Sequence, residues 1–457
     1  RQMCIRDRWK VGLDNGNYSW NTVRELNYQL STILSRYENG EIAGNETTIR
    51  QYIGEIYFFR ALKYFGMLQS MGDLPIVKEV LPDDEATLVA ASKRMPRNEV
   101  ARFILEDLDN AIGYMSENFD ARHTRVSVDV AHLLKSRVAL FEGSWLTNFA
   151  GTPFVPNGEG WPGKSKDYNA NYSFPSGSLD NEAKFFFSEA AKEAEIVAEK
   201  YKNELSQNTG VIPQKASDPV NPYFKMFGET DMSGYKEILL WREYSNALGI
   251  KNAIETAAER NNYACGPTRS LIESFVMEDG KPIYASHDNY VYSDKTIADV
   301  RANRDPRLVV FLKEPGQINC FLNMDNPEGN MFWETEPIPD ITNGADDCVY
   351  TTGYALRKGG SFDKAMAGNH TGWTASITYR ATEALLNYIE AEYMRSGNIG
   401  SGHILEYWRI IREKAGFQGN AIDPMTTINA TEMEKEKLDW GAYTCLLYTS
   451  DAADEAR

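Results

Sequence analysis

The stretch Gly54-Glu55-Ile56-Tyr57-Phe58-Phe59-Arg60-Ala61-Leu62-Lys63-Tyr64-Phe65-Gly66-Met67-Leu68-Gln69-Ser70-Met71-Gly72-Asp73-Leu74-Pro75 decides how the chain reads. Apolar side chains at Ile49, Ile53, Tyr57, Ala61, Phe65 and Leu68 recur at three- and four-residue steps, so they share one stripe of a helix. Phe58 and Tyr64 widen that stripe, the pattern of a helix enclosed by neighbours rather than laid on a surface. Gly72 with Asp73 ends it, and Pro75 cannot continue it.

Working outward, residues 9–206 read as further helices. Val23, Leu26, Leu30 and Leu34 follow helical spacing after Trp20. Pro96 stands where a helix can start, ahead of Val100, Phe103, Leu108 and Ala111. Val130, Leu134, Val138, Phe141 and Trp145 mark the next helix; Phe187, Ala191, Ala194, Ala198 and Tyr201 mark another, whose small residues permit close helix approach. Helices joined by short links predict tetratricopeptide-like pairs, although no 34-residue sequence repeat is visible. Over 207–374 Gly, Pro, Asn and Asp become dense and apolar runs shorten, which predicts a loop-rich subdomain with one helix at 270–277 and short strands at 238–241 and 308–312. Helical patterning returns over 375–444. A helix at 379–394 carries Ala381, Leu385, Ile389 and Tyr393 four apart, and a partner at 403–415 is stopped by Gly416. The predicted fold is mainly α: a tetratricopeptide-like helix-pair scaffold with an inserted loop-rich subdomain containing short strands.

The two ends stand apart from this pattern. Residues 1–8 and 445–457 resemble translated sequencing adapter, so the chain between them is expected to be a fragment cut at both ends. Their charges cancel (three Arg against one Asp; two Asp and one Glu against one Arg), and the net charge of −17 belongs to residues 9–444. That acidic balance excludes nucleic acid, whose phosphates need clustered Lys and Arg, and a polybasic membrane patch equally. Between the ends, Cys265, Cys320 and Cys348 form no zinc spacing; Cys320 and Cys348 either bridge a loop or remain buried thiols. No apolar run is long enough to cross a membrane as a helix.

Several motifs follow one another in a recognisable order. Arg60-Ala61 and the Gly72-Asp73-Leu74-Pro75 turn come first. Arg94-Met95-Pro96-Arg97 then leads into Asp107-Leu108-Asp109-Asn110-Ala111, and Ala131, Leu134, Arg137 and Leu140 share a helix. Phe275 precedes Asp279-Gly280, and Arg304-Asp305-Pro306-Arg307 forms a box. Arg380, Glu383, Leu385, Leu386, Glu390 and Ala391 mark a helix, followed by Arg412 and Ala415-Gly416. In this order the motifs resemble those of the SusD/RagB family, glycan-capturing lipoproteins of the Gram-negative outer membrane, from about residue 20 to 420. The resemblance implies an oligosaccharide or other nutrient as ligand and a SusC-like TonB-dependent transporter as partner. It also implies a lipid anchor, on a segment not present here, at the surface of the outer membrane. The charged motif residues read as structural. Arg60, Arg380 and Glu383 are expected on helices, buried and paired, with Asp73 in its turn and Arg137 on its helix. Arg304, Asp305 and Arg307 are expected to staple the loop-rich subdomain through planar, bidentate contacts.

Catalytic signatures do not emerge. Gly158-Glu159-Gly160-Trp161-Pro162-Gly163 fits a dinucleotide-binding string on paper, but it has no preceding strand and Pro162 interrupts it, so it reads as a loop. The five histidines lack ligand spacing. No catalytic residue, metal ligand or cofactor is assigned, and the chain is expected not to be an enzyme. Two alternatives stay open. A glycoside hydrolase needs two carboxylates about 5–9.5 Å apart, which no motif singles out; a helical-repeat scaffold would bind peptides. For glycan capture, aromatic faces would stack on sugar C–H surfaces. The candidates are Tyr284, Tyr290, Tyr292, Phe332, Trp333 and Trp373, with Asp288 and Asn330 as polar partners.

Overall fold

Asn45 opens the helix that carries the decisive stretch: its side chain accepts a hydrogen bond from the Thr48 N–H at 3.0 Å. The helix runs Glu46–Met71 and stops at Gly72, whose φ of 72° is one that a side chain would strain. Ile53, Phe58, Ala61, Tyr64, Phe65 and Leu68 are buried along it, and Tyr57 is half-buried. This computed structural model describes residues 19–117, 119–260, 266–283, 286, 290–321, 335–338, 352–368, 370–398 and 402–423. Its elements, in chain order, are α1 (Asn21–Glu38), α2 (Glu46–Met71), α3 (Glu85–Ala91), α4 (Arg97–Tyr114), α5 (Val128–Asn148), α6 (Leu179–Tyr201) and α7 (Pro222–Gly228). There follow β1 (Ile238–Arg242), α8 (Ile254–Arg260), α9 (Arg269–Ser274), α10 (Ile297–Arg301), α11 (Pro306–Phe311), β2 (Ser376–Arg380), α12 (Ala381–Ser396) and α13 (Gly402–Ala415). The mainly α fold is the one the sequence predicts.

The chain divides into two compact units, each built from two stretches: Arg1–Phe119 with Phe141–Ala183, and Asp120–Leu140 with Lys184–Arg457. In the first unit α2 packs on α1 and α4. Gly54 sits where α2 meets the end of α4; a Cβ there would lie 2.4 Å from Met115 Cγ and 2.9 Å from the Ala111 carbonyl oxygen. The Gly-Asp-x-Pro turn is held from two sides. The Asp73 carboxylate accepts hydrogen bonds from the Arg97 N–H at 2.9 Å and from the Trp161 indole at 2.8 Å. Trp161 belongs to the glycine-rich string, which is a loop ending in the short 3-10 turn Pro162–Ser165.

In the second unit β1 and β2 pair antiparallel, with Ile238 opposite Arg380, Trp241 opposite Ile377 and Arg242 opposite Ser376. Trp241, Tyr223, Phe224, Ile272, Leu308 and Phe311 form part of its apolar cluster. Three sequence expectations change here. Residues 308–311 belong to α11 rather than to a strand, and Leu312 alone is extended, in an isolated bridge to Leu356. Asp305 caps the Arg307 N–H at 2.9 Å and Pro306 occupies the first turn, which outweighs the β-branched run. The helix at 270–277 is shorter, Arg269–Ser274, because Phe275 is extended; α7, α8 and α10 add helices that short apolar runs concealed. Tyr379 and Arg380 close β2, so α12 starts at Ala381 and Arg380 is not helical.

Candidate functional site

The charged motif residues form internal contacts. Arg60 on α2 makes a bidentate pair with Asp107 on α4, at 2.8 and 2.7 Å, and both are buried. Arg137 on α5 pairs with Glu383 on α12 through two hydrogen bonds and lies 4.7 Å over the Tyr379 ring. Arg304 meets no carboxylate among its described hydrogen bonds: it donates to the carbonyls of Ile272 at 2.6 Å, Phe275 at 2.8 Å and Val300 at 3.2 Å. These carbonyls sit at or near the C-terminal ends of α9 and α10, where a cation offsets the helix dipole. Burial holds the Arg304 guanidinium below its usual pKa. Arg307 forks onto Asp305 at 3.1 and 2.8 Å, and Arg380 reaches the buried Glu237 at 3.4 Å.

Among the candidate ligand contacts, Tyr284, Asp288, Asn330, Phe332 and Trp333 lie outside the described residues, as do Cys265 and Cys348; Cys320 is buried. Tyr290 and Tyr292 share one half-buried segment. The Arg304 guanidinium lies 5.1 Å over the Tyr292 ring, so one face of that ring is occupied from within. Burial raises the pKa of both phenols, with Arg304 opposing it at Tyr292 and Glu278 and Asp279 adding to it at Tyr290.

Trp373 is placed differently. Because Arg242 stands opposite Ser376, the segment after β1 and the segment before β2 meet at one end of the ladder. The first forms a hairpin closed by reciprocal Ser245–Ile250 backbone bonds of 2.9 Å, with Gly249 in the left-handed region at φ 68°. Asn252 then grips the second. Its N–H donates to the Gly372 carbonyl at 2.7 Å, and its side-chain amide donates to the Thr374 carbonyl at 2.7 Å. Those two carbonyls flank Trp373. A Cβ at position 372 would lie 3.0 Å from the Met366 carbonyl oxygen, a close approach that glycine allows. Behind the loop, the Thr374 hydroxyl donates to the buried Glu255 at 3.3 Å. The half-buried Trp373 thus stands on a backbone clamped on both sides.

Tyr244, half-buried, stands on the same hairpin with the Arg242 guanidinium 5.0 Å from its ring, and Leu248 and Ile250 are exposed. Aromatic and apolar side chains on these two paired segments, with the hydrogen-bonding groups of the loop backbone, are the chemistry that holds a sugar ring without reacting with it. Sequence reading misses Tyr244 and Asn252. The turn at Gly249 is a visible signal for the hairpin, but the Asn252 contact spans 122 residues and leaves no local trace. Sequence spacing also conceals one cluster in the second unit: donor atoms of Glu199, His403 and Glu406 lie within 4.8 Å of one another. A cation already serves two of them, since Lys202 Nζ stands 2.9 Å from Glu199 and 2.7 Å from Glu406.

Two family models match the chain: one described as the SusD family over residues 196–437, and one described as starch-binding associating with outer membrane over residues 2–140. Among solved structures, the chain is similar to a SusD-like protein from Bacteroides fragilis NCTC 9343, at 18% identity and TM-score 0.54, covering 95% of this chain and 75% of that one. It is also similar to a SusD-like carbohydrate binding protein from the same organism, at 15% identity and TM-score 0.57, covering 94% and 69%. A crystal structure with xylogluco-oligosaccharide matches at 16% identity and TM-score 0.50, covering 95% and 69%. At these identities the likeness is one of fold. No curated protein sequence matches the chain. The first model spans more than half of the residues, and the chain therefore belongs to the SusD family.

Proposed function

We propose that the protein captures glycans at the cell surface and passes them, uncleaved, to a SusC-like TonB-dependent transporter in the outer membrane. The observation that carries the reading is the Trp373 loop: Asn252 fixes the backbone on either side of a half-buried Trp373 that keeps part of its surface in solvent. A ring held in place before binding loses little freedom when a sugar stacks on it. Capture of this kind needs no general acid or base, and the charged motif residues are spent on internal pairing rather than on a reacting bond. The family supports the outer-membrane location and, through it, a lipid anchor and a transporter partner.

The test is binding and cleavage on one polysaccharide panel, by calorimetry and by analysis of released sugars. Retention without product is expected. Trp373→Ala should weaken binding about tenfold, on the order of 1.4 kcal/mol, with helix content by circular dichroism unchanged. Released oligosaccharides would instead identify a hydrolase, and affinity unaffected by the substitution would remove Trp373 from the site.

A further inference from the structure

The chain carries 65 Asp and Glu against 48 Lys and Arg, yet two exposed basic residues, Arg242 and Lys251, stand on the segment that pairs with the Trp373 loop. Arg242 is exposed at the end of β1 with its guanidinium 5.0 Å from the Tyr244 ring, and no ion pair engages it among the described residues. Lys251 is exposed next to the clamping Asn252 and likewise has no ion pair among the described residues. Several acidic side chains of the adjoining segments are already engaged, Glu229 by Lys225 at 3.2 Å and Asp231 by the Ser233 N–H at 2.9 Å. Glu243 is held by Arg122 through two hydrogen bonds of 3.2 and 3.0 Å. Glu255 is buried and accepts from the Ser361 N–H at 3.0 Å as well as from Thr374. Asp363 accepts from the Ala365 N–H at 3.0 Å, at the start of a short 3-10 turn. Two cations without an ion pair among the described residues therefore stand on the segment that pairs with the Trp373 loop, Arg242 opposite Ser376 and Lys251 next to Asn252.

We propose that this surface selects acidic saccharides: Arg242 and Lys251 meet carboxylate or sulfate groups of a glycan whose ring face stacks at Trp373. The inference rests on the reading of the Trp373 loop as a glycan-binding site. A guanidinium presents a planar fork that matches either oxyanion, and charge-assisted hydrogen bonds of this kind are about twice as strong as neutral ones. A neutral sugar offers Lys251 no partner of opposite charge. The net charge of −17 repels a polyanion at long range, but near physiological salt the screening length is about 8 Å, so the repulsion fades while contact pairs persist.

The experiment compares two matched pairs of ligands at near-physiological salt by calorimetry: polygalacturonate against its methyl-esterified form, and dextran sulfate against dextran. Binding at least tenfold tighter to the acidic member of one pair is expected, and which pair shows it separates carboxylate from sulfate. The double variant Arg242→Glu/Lys251→Glu should abolish the preference. A control with the same charge change at the exposed Lys184 and Lys215 should retain it. Trp373→Ala should weaken binding of the acidic ligand. Equal affinity within both pairs, a preference that survives the double variant, or one indifferent to Trp373 would overturn the proposal. If neutral glycans bind through Trp373 without preference, the selection fails and capture stands; if no glycan of these pairs or of the wider panel binds, capture itself falls.

Discussion

Arg60 shows how a single residue can be legible in kind and illegible in detail. A guanidinium within an aromatic helical stripe must be paired, and the sequence says so. The partners are Asp107, 47 positions on, and Asn27, whose Oδ1 accepts at 2.8 Å. Arg60→Ala would leave the Asp107 carboxylate buried without its countercharge. The expected cost is about 3–5 kcal/mol, read as a lower urea midpoint at unchanged slope. Arg60→Lys should recover only part of it, since an ammonium cannot bond both oxygens in one plane. Arg304 differs from the expected pairing in a physical way: carbonyls at the ends of two helices, rather than a carboxylate, satisfy it. No periodicity reports such a contact, because the acceptors are backbone atoms and identical for every residue type.

At the scale of elements, the long helices announce themselves and the short ones do not. The α2 pattern extends over six turns or more, so chance alternation cannot imitate it. In α11, six residues with a β-branched run satisfy helix and strand patterns alike, and only the Asp305 cap decides. Packing between elements is partly readable. Gly54 stands out as a glycine inside a helix, and the structure supplies the reason in the close approach of Ala111 and Met115. Gly54→Ala should force α2 and α4 apart and destabilise the first unit by about 1–3 kcal/mol, despite the better intrinsic helix propensity of alanine. An unfolding midpoint equal to or above that of the unmodified chain would contradict the packing account.

For the molecule as a whole, acid stability follows from charges gathered inside the second unit. Glu193 on α6 lies 2.6 Å from His132 Nδ1 and 2.9 Å from Lys135 Nζ. Burial pushes its carboxyl up, but the His132 hydrogen bond and the Lys135 ammonium outweigh that and hold it at about 2, below the ordinary 4.5. A carboxyl that binds its proton more weakly when folded stabilises the fold above its unfolded pKa. The contribution is lost as pH falls from about 4.5 toward about 2. Unfolding midpoints measured across that window should fall, and Glu193→Gln should lower stability at neutral pH while flattening the fall. The sequence by itself determined the mainly helical class, the principal long helices and the order of family motifs, because local spacing and capping act over a few neighbouring residues. Tertiary structure alone decided that each compact unit draws on two separated stretches, and that Asn252 clamps the loop of Trp373. It also decided that the segment carrying Arg242 and Lys251, which have no ion pair among the described residues, pairs with that loop. These are contacts between residues more than a hundred positions apart, and which distant groups meet is fixed by packing rather than by any local pattern.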